Sequence, residues 1–114
     1  MWLTTEDFGD TPDVTEEQID RIMLEDAFGK FAVLSESETS FIQAGNDWQP
    51  SDECESFVKS RGSDPWLLEY RDGPTARQLR ARGHVTLEEV RQVFVLYLGG
   101  DQSWRAMFDW REIQ

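Results

Sequence analysis

Residues 31–45 read FAVLSESETSFIQAG, two β-rich arms either side of the polar turn Glu36-Ser37-Glu38. Short runs of β-branched and aromatic residues closed off by a polar cluster are the signature of a hairpin, here with strands near 31–35 and 39–44. The stretch WLLEYRDGPTARQLRARG, residues 66–83, repeats the form around Asp72-Gly73-Pro74. Side chains alternate across a strand, so Trp66, Leu68 and Tyr70 share one face, with Leu67, Glu69 and Arg71 opposite. In the return arm Gln78, Arg80 and Arg82 share a face, and Glu69 can pair across the hairpin with one of these arginines.

Outside the hairpins the period changes from two to that of a helix. In VTEEQIDRIMLEDAFGK, residues 14–30, Thr15 is an N-cap with Gln18 closing a capping box, and Val14 and Ile19 hold the staple positions. Ile19, Ile22, Met23 and Ala27 recur at helical spacing with Phe28 adjoining, and Gly29 is the stop. In HVTLEEVRQVFVLYLGG, residues 84–100, Thr86 caps, Glu89 closes the box and Val85 can staple to Val90. Leu87, Val90, Val93, Phe94, Tyr97 and Leu98 form a wide apolar stripe that Gly99 and Gly100 end. Residues 45–65 are a long polar connection with room for one short helix at 51–60, and connections of that length are often functional. Towards the C-terminus, Asp101 can cap a turn through Trp104, and residues 107–113 alternate as a last strand with Phe108 and Trp110 on one face. The expected fold is one α+β domain over residues 1–114. Its antiparallel sheet has four to five strands with helices packed on one face, in the order α-β-β-β-β-α-(β).

Trp104, Phe108 and Trp110 raise a choice. They can plug the core beside the second helix, since large rings dominate small cores. Alternatively, with Arg105 and Arg111 flanking them, they can form a partner patch.

A length of 114 residues suits one domain, and the 39% hydrophobic content is enough for one core. No run nears the roughly eighteen apolar residues of a membrane span, so no membrane partner is expected. MWLTTEDFGD lacks a basic-then-apolar signal pattern, which points to the cytoplasm. Cys54 is the only cysteine, so no internal disulfide forms; its acidic neighbours Asp52, Glu53 and Glu55 favour a passive thiol.

The formal charge is −12, and it is uneven. Residues 1–57 hold fifteen acids and two bases, whereas residues 58–114 hold eight acids and nine bases. Long-range repulsion argues against nucleic acid as a partner, because phosphate binding needs clustered Lys and Arg. Either the acidity keeps the protein soluble, or it steers a basic protein onto the N-terminal half. Acids in the first helical turn complement the helix dipole, which accounts for Glu16 and Glu17 but not for Asp7, Asp10 and Asp13. Together with Asp20 these six acids are the candidate partner-binding residues.

Catalytic motifs are missing from the chain. His84 is the only histidine and has no partner at ligand spacing, so no transition-metal site is expected. No G-x-S-x-G elbow occurs, and Asp7, Asp10 and Asp13 lack the alternation, central Gly and closing Glu of a calcium loop. Neither enzyme activity nor a cofactor is expected. Arg71, Arg77, Arg80, Arg82 and His84 form a basic stripe, read either as a solvated sheet face or as a surface for an acidic partner, a second copy included.

The stretches LLEYRDG, TLEEVRQVFVLYL and FDWREI, in the order sheet, capped helix and Trp-bearing tail, resemble bacterial immunity proteins of polymorphic toxin systems over about the last half of the chain. The resemblance implies a non-enzymatic inhibitor that binds a cognate toxin domain in the same cytoplasm, its acids covering a basic toxin surface. A small acidic secretion chaperone, commonly dimeric and offering apolar grooves to an unfolded client, is the alternative, as is a structural or interaction domain.

Overall fold

The computed structural model describes residues 1–24 and 28–113. Strands β1 (Trp2–Thr5) and β2 (Gly9–Thr11) precede helix α1 (Glu16–Leu24). Strands β3 (Phe31–Ser35) and β4 (Ser40–Asn46) follow, then α2 (Asp52–Arg61), β5 (Trp66–Asp72), β6 (Leu79–Ala81) and α3 (Leu87–Leu98). A short 3-10 helix, Ser103–Met107, leads into β7 (Trp110–Glu112). All neighbouring strands are antiparallel, in the order β2-β1-β3-β4-β5-β6-β7.

The α+β class and the antiparallel sheet match expectation, but the sheet has seven strands, not four to five. The order α-β-β-β-β-α-(β) is likewise corrected, to ββαββαββα followed by β7. The missed pair is β1–β2, in a stretch read only for its acids. Trp2, Leu3, Thr4 and Thr5 are good strand formers, and Gly9 at φ 62 supplies the left-handed turn residue. So short a strand is stable only because β3 pairs with it across residues 32–35.

Both expected capping boxes form. Thr15 and Gln18 exchange bonds at 2.9 and 3.2 Å ahead of α1, with Val14 and Ile19 buried together. At α3 the Thr86 hydroxyl accepts from the Glu89 amide at 3.1 Å, and the Glu89 carboxylate accepts from the Thr86 amide at 2.9 Å. Glu25 and Ala27, read as part of the first helix, lie outside the described residues. Gly29 has φ 97, and a Cβ there would come within 2.6 Å of Glu6, so only glycine fits. Thr86→Ala is expected to lower stability by about 1 kcal/mol, most of it recovered by Thr86→Ser, as read by urea melts.

The anticipated short helix in the 45–65 connection is α2, capped by Ser51 and ended by Gly62 at φ 70. Cys54, on its buried side, donates to the Asp47 carbonyl at 3.7 Å.

The core lies between one face of the sheet and α3, which rests on β4 and β5 with α1 packed beside it. Leu3, Leu34, Ile42, Leu68 and Ala81 come from the sheet, and Ile19, Met23, Val90, Val93 and Phe94 from the helices. Trp66, Leu68 and Tyr70 point inward together, as the alternation requires.

The aromatic tail is core. Trp104 is fully buried, with its ring edge-on to Tyr70 at 4.8 Å and to Trp110 at 5.7 Å. Phe108 and Trp110 are half-buried and pack together at 5.8 Å. Arg105 lies over the Tyr70 and Trp104 rings and bonds Asp72 at 2.9 Å, so this cation is spent on packing. Burial, and secondarily the nearby Glu36 and Asp72 charges, push the Tyr97 hydroxyl up to about 12.

Candidate functional site

The six candidate acids divide into two groups. Asp7 is exposed in the β1–β2 turn, and Asp10 is exposed on the edge strand β2, where it accepts from the Thr4 hydroxyl at 2.6 Å. Asp13 is exposed at φ 49, a left-handed conformation that Asp and Asn tolerate better than most residues. Glu16 and Glu17 are exposed in the first turn of α1. Among the described residues these five make no ion pair, and they share the β2 edge and the adjoining helix start. Asp20 stands apart: it is half-buried and bonds Arg91 of α3 at 2.8 Å, fastening the two helices together. Hydrogen bonds from Glu88 and then Asp20 raise the Arg91 guanidinium above its ordinary range, and the same Arg91 contact lowers the Glu88 carboxyl.

A second surface is the sheet face turned away from α3. The register lines up one row through all seven strands, each residue the direct neighbour of the next. It begins at Asp10 and Thr4 on β2 and β1, crosses Val33 and Gln43, and continues through Glu69 and Arg80 to Arg111 on β7. Glu69 is the hub of this row. Its Oε1 accepts from the Gln43 and Gln78 amides at 2.7 Å each, and its Oε2 meets the Arg80 guanidinium at 2.6 Å. The expected cross-hairpin pair therefore forms with Arg80. Next to the hub is a hollow of about 220 Å³ lined by Phe31, Val33, Gly45 and Leu67. Phe31 is 40% exposed there.

The basic stripe is dispersed by its contacts. Arg80 is held by Glu69, Arg77 by Glu112 at 3.2 Å, and Arg71 by the Gly73 and Pro74 carbonyls. His84 bonds Asp47 at 2.8 Å and meets the edge of the Phe57 ring, which ties α2 to the start of α3. Arg82 and Arg111 are exposed and make no ion pair among the described residues. Arg111 faces Arg80 directly across the ladder, a like-charge opposition that disfavours it.

Sequence reading missed Glu69 as a hub, and it missed the row. The alternation put Glu69 and Arg80 on one face, but strand order alone shows that Asp10 and Arg111 end the same line. Among the described residues no group of three or more His, Cys, Asp or Glu is gathered as a metal ion needs, and no helix is long and apolar enough to cross a membrane. No protein-family model matches the chain, and comparison with characterised proteins and with solved structures finds no match either.

Proposed function

We propose that this chain is a non-enzymatic binding protein that inhibits a basic toxin domain, in the manner of an immunity protein. The observation that carries the reading is the group Asp7, Asp10, Asp13, Glu16 and Glu17, which is exposed at one edge of the fold and makes no ion pair among the described residues. Acids used for internal stability would be paired as Asp20 is. Left unpaired, they project a field that attracts a cationic surface and raises its encounter rate. A secretion chaperone is the second reading, favoured by the apolar hollow beside Phe31.

The test begins with the product of the gene immediately upstream, expressed as an isolated domain. The chain is expected to protect cells from it, and the purified pair is expected to associate rapidly. Changing Asp7, Asp10 and Asp13 together to Asn should slow association about tenfold at low salt and flatten its salt dependence, leaving stability within about 0.5 kcal/mol. Asn keeps the left-handed conformation at 13 and an acceptor for Thr4 at 10, so the change is one of charge. Stopped-flow mixing at low and high salt reads it out. An unchanged rate and slope would reduce the acidity to a solubility device, and binding of unfolded apolar peptides in place of the toxin would favour the chaperone.

A further inference from the structure

Opposite charges end the row across the open sheet face, and they cannot satisfy each other within one copy. Six strand spacings separate Asp10 on β2 from Arg111 on β7, about 29 Å, against a screening length of about 8 Å at physiological salt. Arg111 is exposed opposite Arg80, which Glu69 already holds, and makes no ion pair among the described residues. Between these ends the polar row of Gln43, Glu69 and Arg80 is flanked by an apolar patch, in which Val33, Phe41 and Leu67 are half-buried and Phe31 is exposed. No helix packs on this face among the described residues, since α3 lies on the other side with α1 beside it.

The partner that fits must be apolar opposite Phe31 and Leu67, basic opposite Asp10 and acidic opposite Arg111. The same face, turned by a two-fold axis, meets that description. We propose that the open face is a homodimer interface, with a second copy docked face to face about a two-fold axis running along the central strand β4. Asp10 of each copy then meets Arg111 of the other, Gln43 meets its counterpart at the axis, and Phe31 of each copy lies over Leu67 of the other beside Gly45. Strands of the two sheets run nearly aligned, one of the two common ways sheets pack. A basic protein would match the Asp10 edge alone and would repel Arg111, so it fits this face less well than a second copy does.

The area sets the strength. A face about 29 Å across the strands and about 17 Å along them covers on the order of 500 Å² per copy, or about 1,000 Å² in total. That is the lower end for a specific interface, so the dimer should dissociate on dilution. The chain is expected to be largely dimeric at about 1 mM and monomeric at about 1 µM.

Sedimentation velocity at about 150 mM salt tests this on the purified chain alone. Symmetry makes each substitution act twice, so Asp10→Lys and Arg111→Glu should each weaken self-association about tenfold. Combined in one chain, they should restore it. Both positions are exposed, and circular dichroism is expected to stay unchanged. Gly45→Gln is the third arm: its Cβ meets open space, so the fold tolerates it while the side chain fills the hollow. It too should weaken association about tenfold. A parent that stays monomeric at about 1 mM overturns the proposal, as does a dimer indifferent to all three changes or a double variant no better than the singles. If the parent is monomeric and Gly45→Gln instead abolishes toxin binding, the face belongs to the toxin. Self-association is measured without any partner and toxin binding at about 1 µM, so each reading can fail independently.

Discussion

Trp104→Ala is expected to destabilise the protein by about 3–5 kcal/mol, much of the roughly 5–15 kcal/mol available to a domain of this size. Trp104 is fully buried and is the shared neighbour of Tyr70, Tyr97 and Trp110. Removing it takes away one wall of an aromatic box and the ring on which Arg105 rests. The box closes the gap between the end of α3 and β7, and backbone movement there is limited by the sheet. The cavity should therefore collapse only in part, placing the cost towards the upper end of the range. Trp104→Phe should cost less than half as much. It keeps a ring edge-on to Tyr70 and removes an indole N–H that has no acceptor among the described residues. Urea melts of the two variants give the comparison. If Trp104→Ala stays within about 0.5 kcal/mol of the parent, as surface changes do, the aromatic tail is not core.

Glu69→Ala is the second large effect, expected at about 2–3 kcal/mol. Glu69 is 7% exposed, and three side chains donate to its carboxylate. Truncation strands the Gln43 and Gln78 amides and leaves Arg80 without its counter-charge. Arg80 keeps 29% of its side-chain surface in water and can be partly resolvated, which holds the cost below the 3–5 kcal/mol of a fully buried broken pair. Glu69→Leu separates the polar contribution from packing. It refills the volume but accepts no hydrogen bond, so it should recover less than half of the loss. A double-mutant cycle with Arg80→Ala should show coupling of about 1 kcal/mol or more. Should Glu69→Leu match the parent, the hub serves only to fill space, and the row across the open face loses its centre.

The function proposed for the acidic edge and the dimer proposed for the open face make different uses of Asp10. In the first it contributes to a field, so its neutralisation acts on encounter rate and is screened by salt. In the second it makes one local contact with Arg111, so a reversal of both charges restores what either reversal removes. The double charge swap therefore separates them: it should rescue self-association without restoring the rate of toxin encounter.

What the sequence by itself determined is the set of local decisions. Both capping boxes, the ends of α3 at Gly99 and Gly100, and the inward row Trp66, Leu68, Tyr70 depend on residues within about four positions of one another, where periodicity and capping chemistry act. The burial of Trp104 was only one of two readings that the sequence left open, and its packing against Tyr70, Tyr97 and Trp110 decided it. Tertiary structure alone decided the number and order of the strands, and through them the site. β1 and β2 are too short to stand without β3, and their pairing joins segments some thirty residues apart. That pairing carries Asp10 to one end of a seven-strand row, and the return of β7 carries Arg111 to the other. The division of Asp20 from the other acids has the same origin. Only the packing of α1 beside α3 places Arg91 within 2.8 Å of Asp20, while the acids along the β2 edge meet no cation among the described residues.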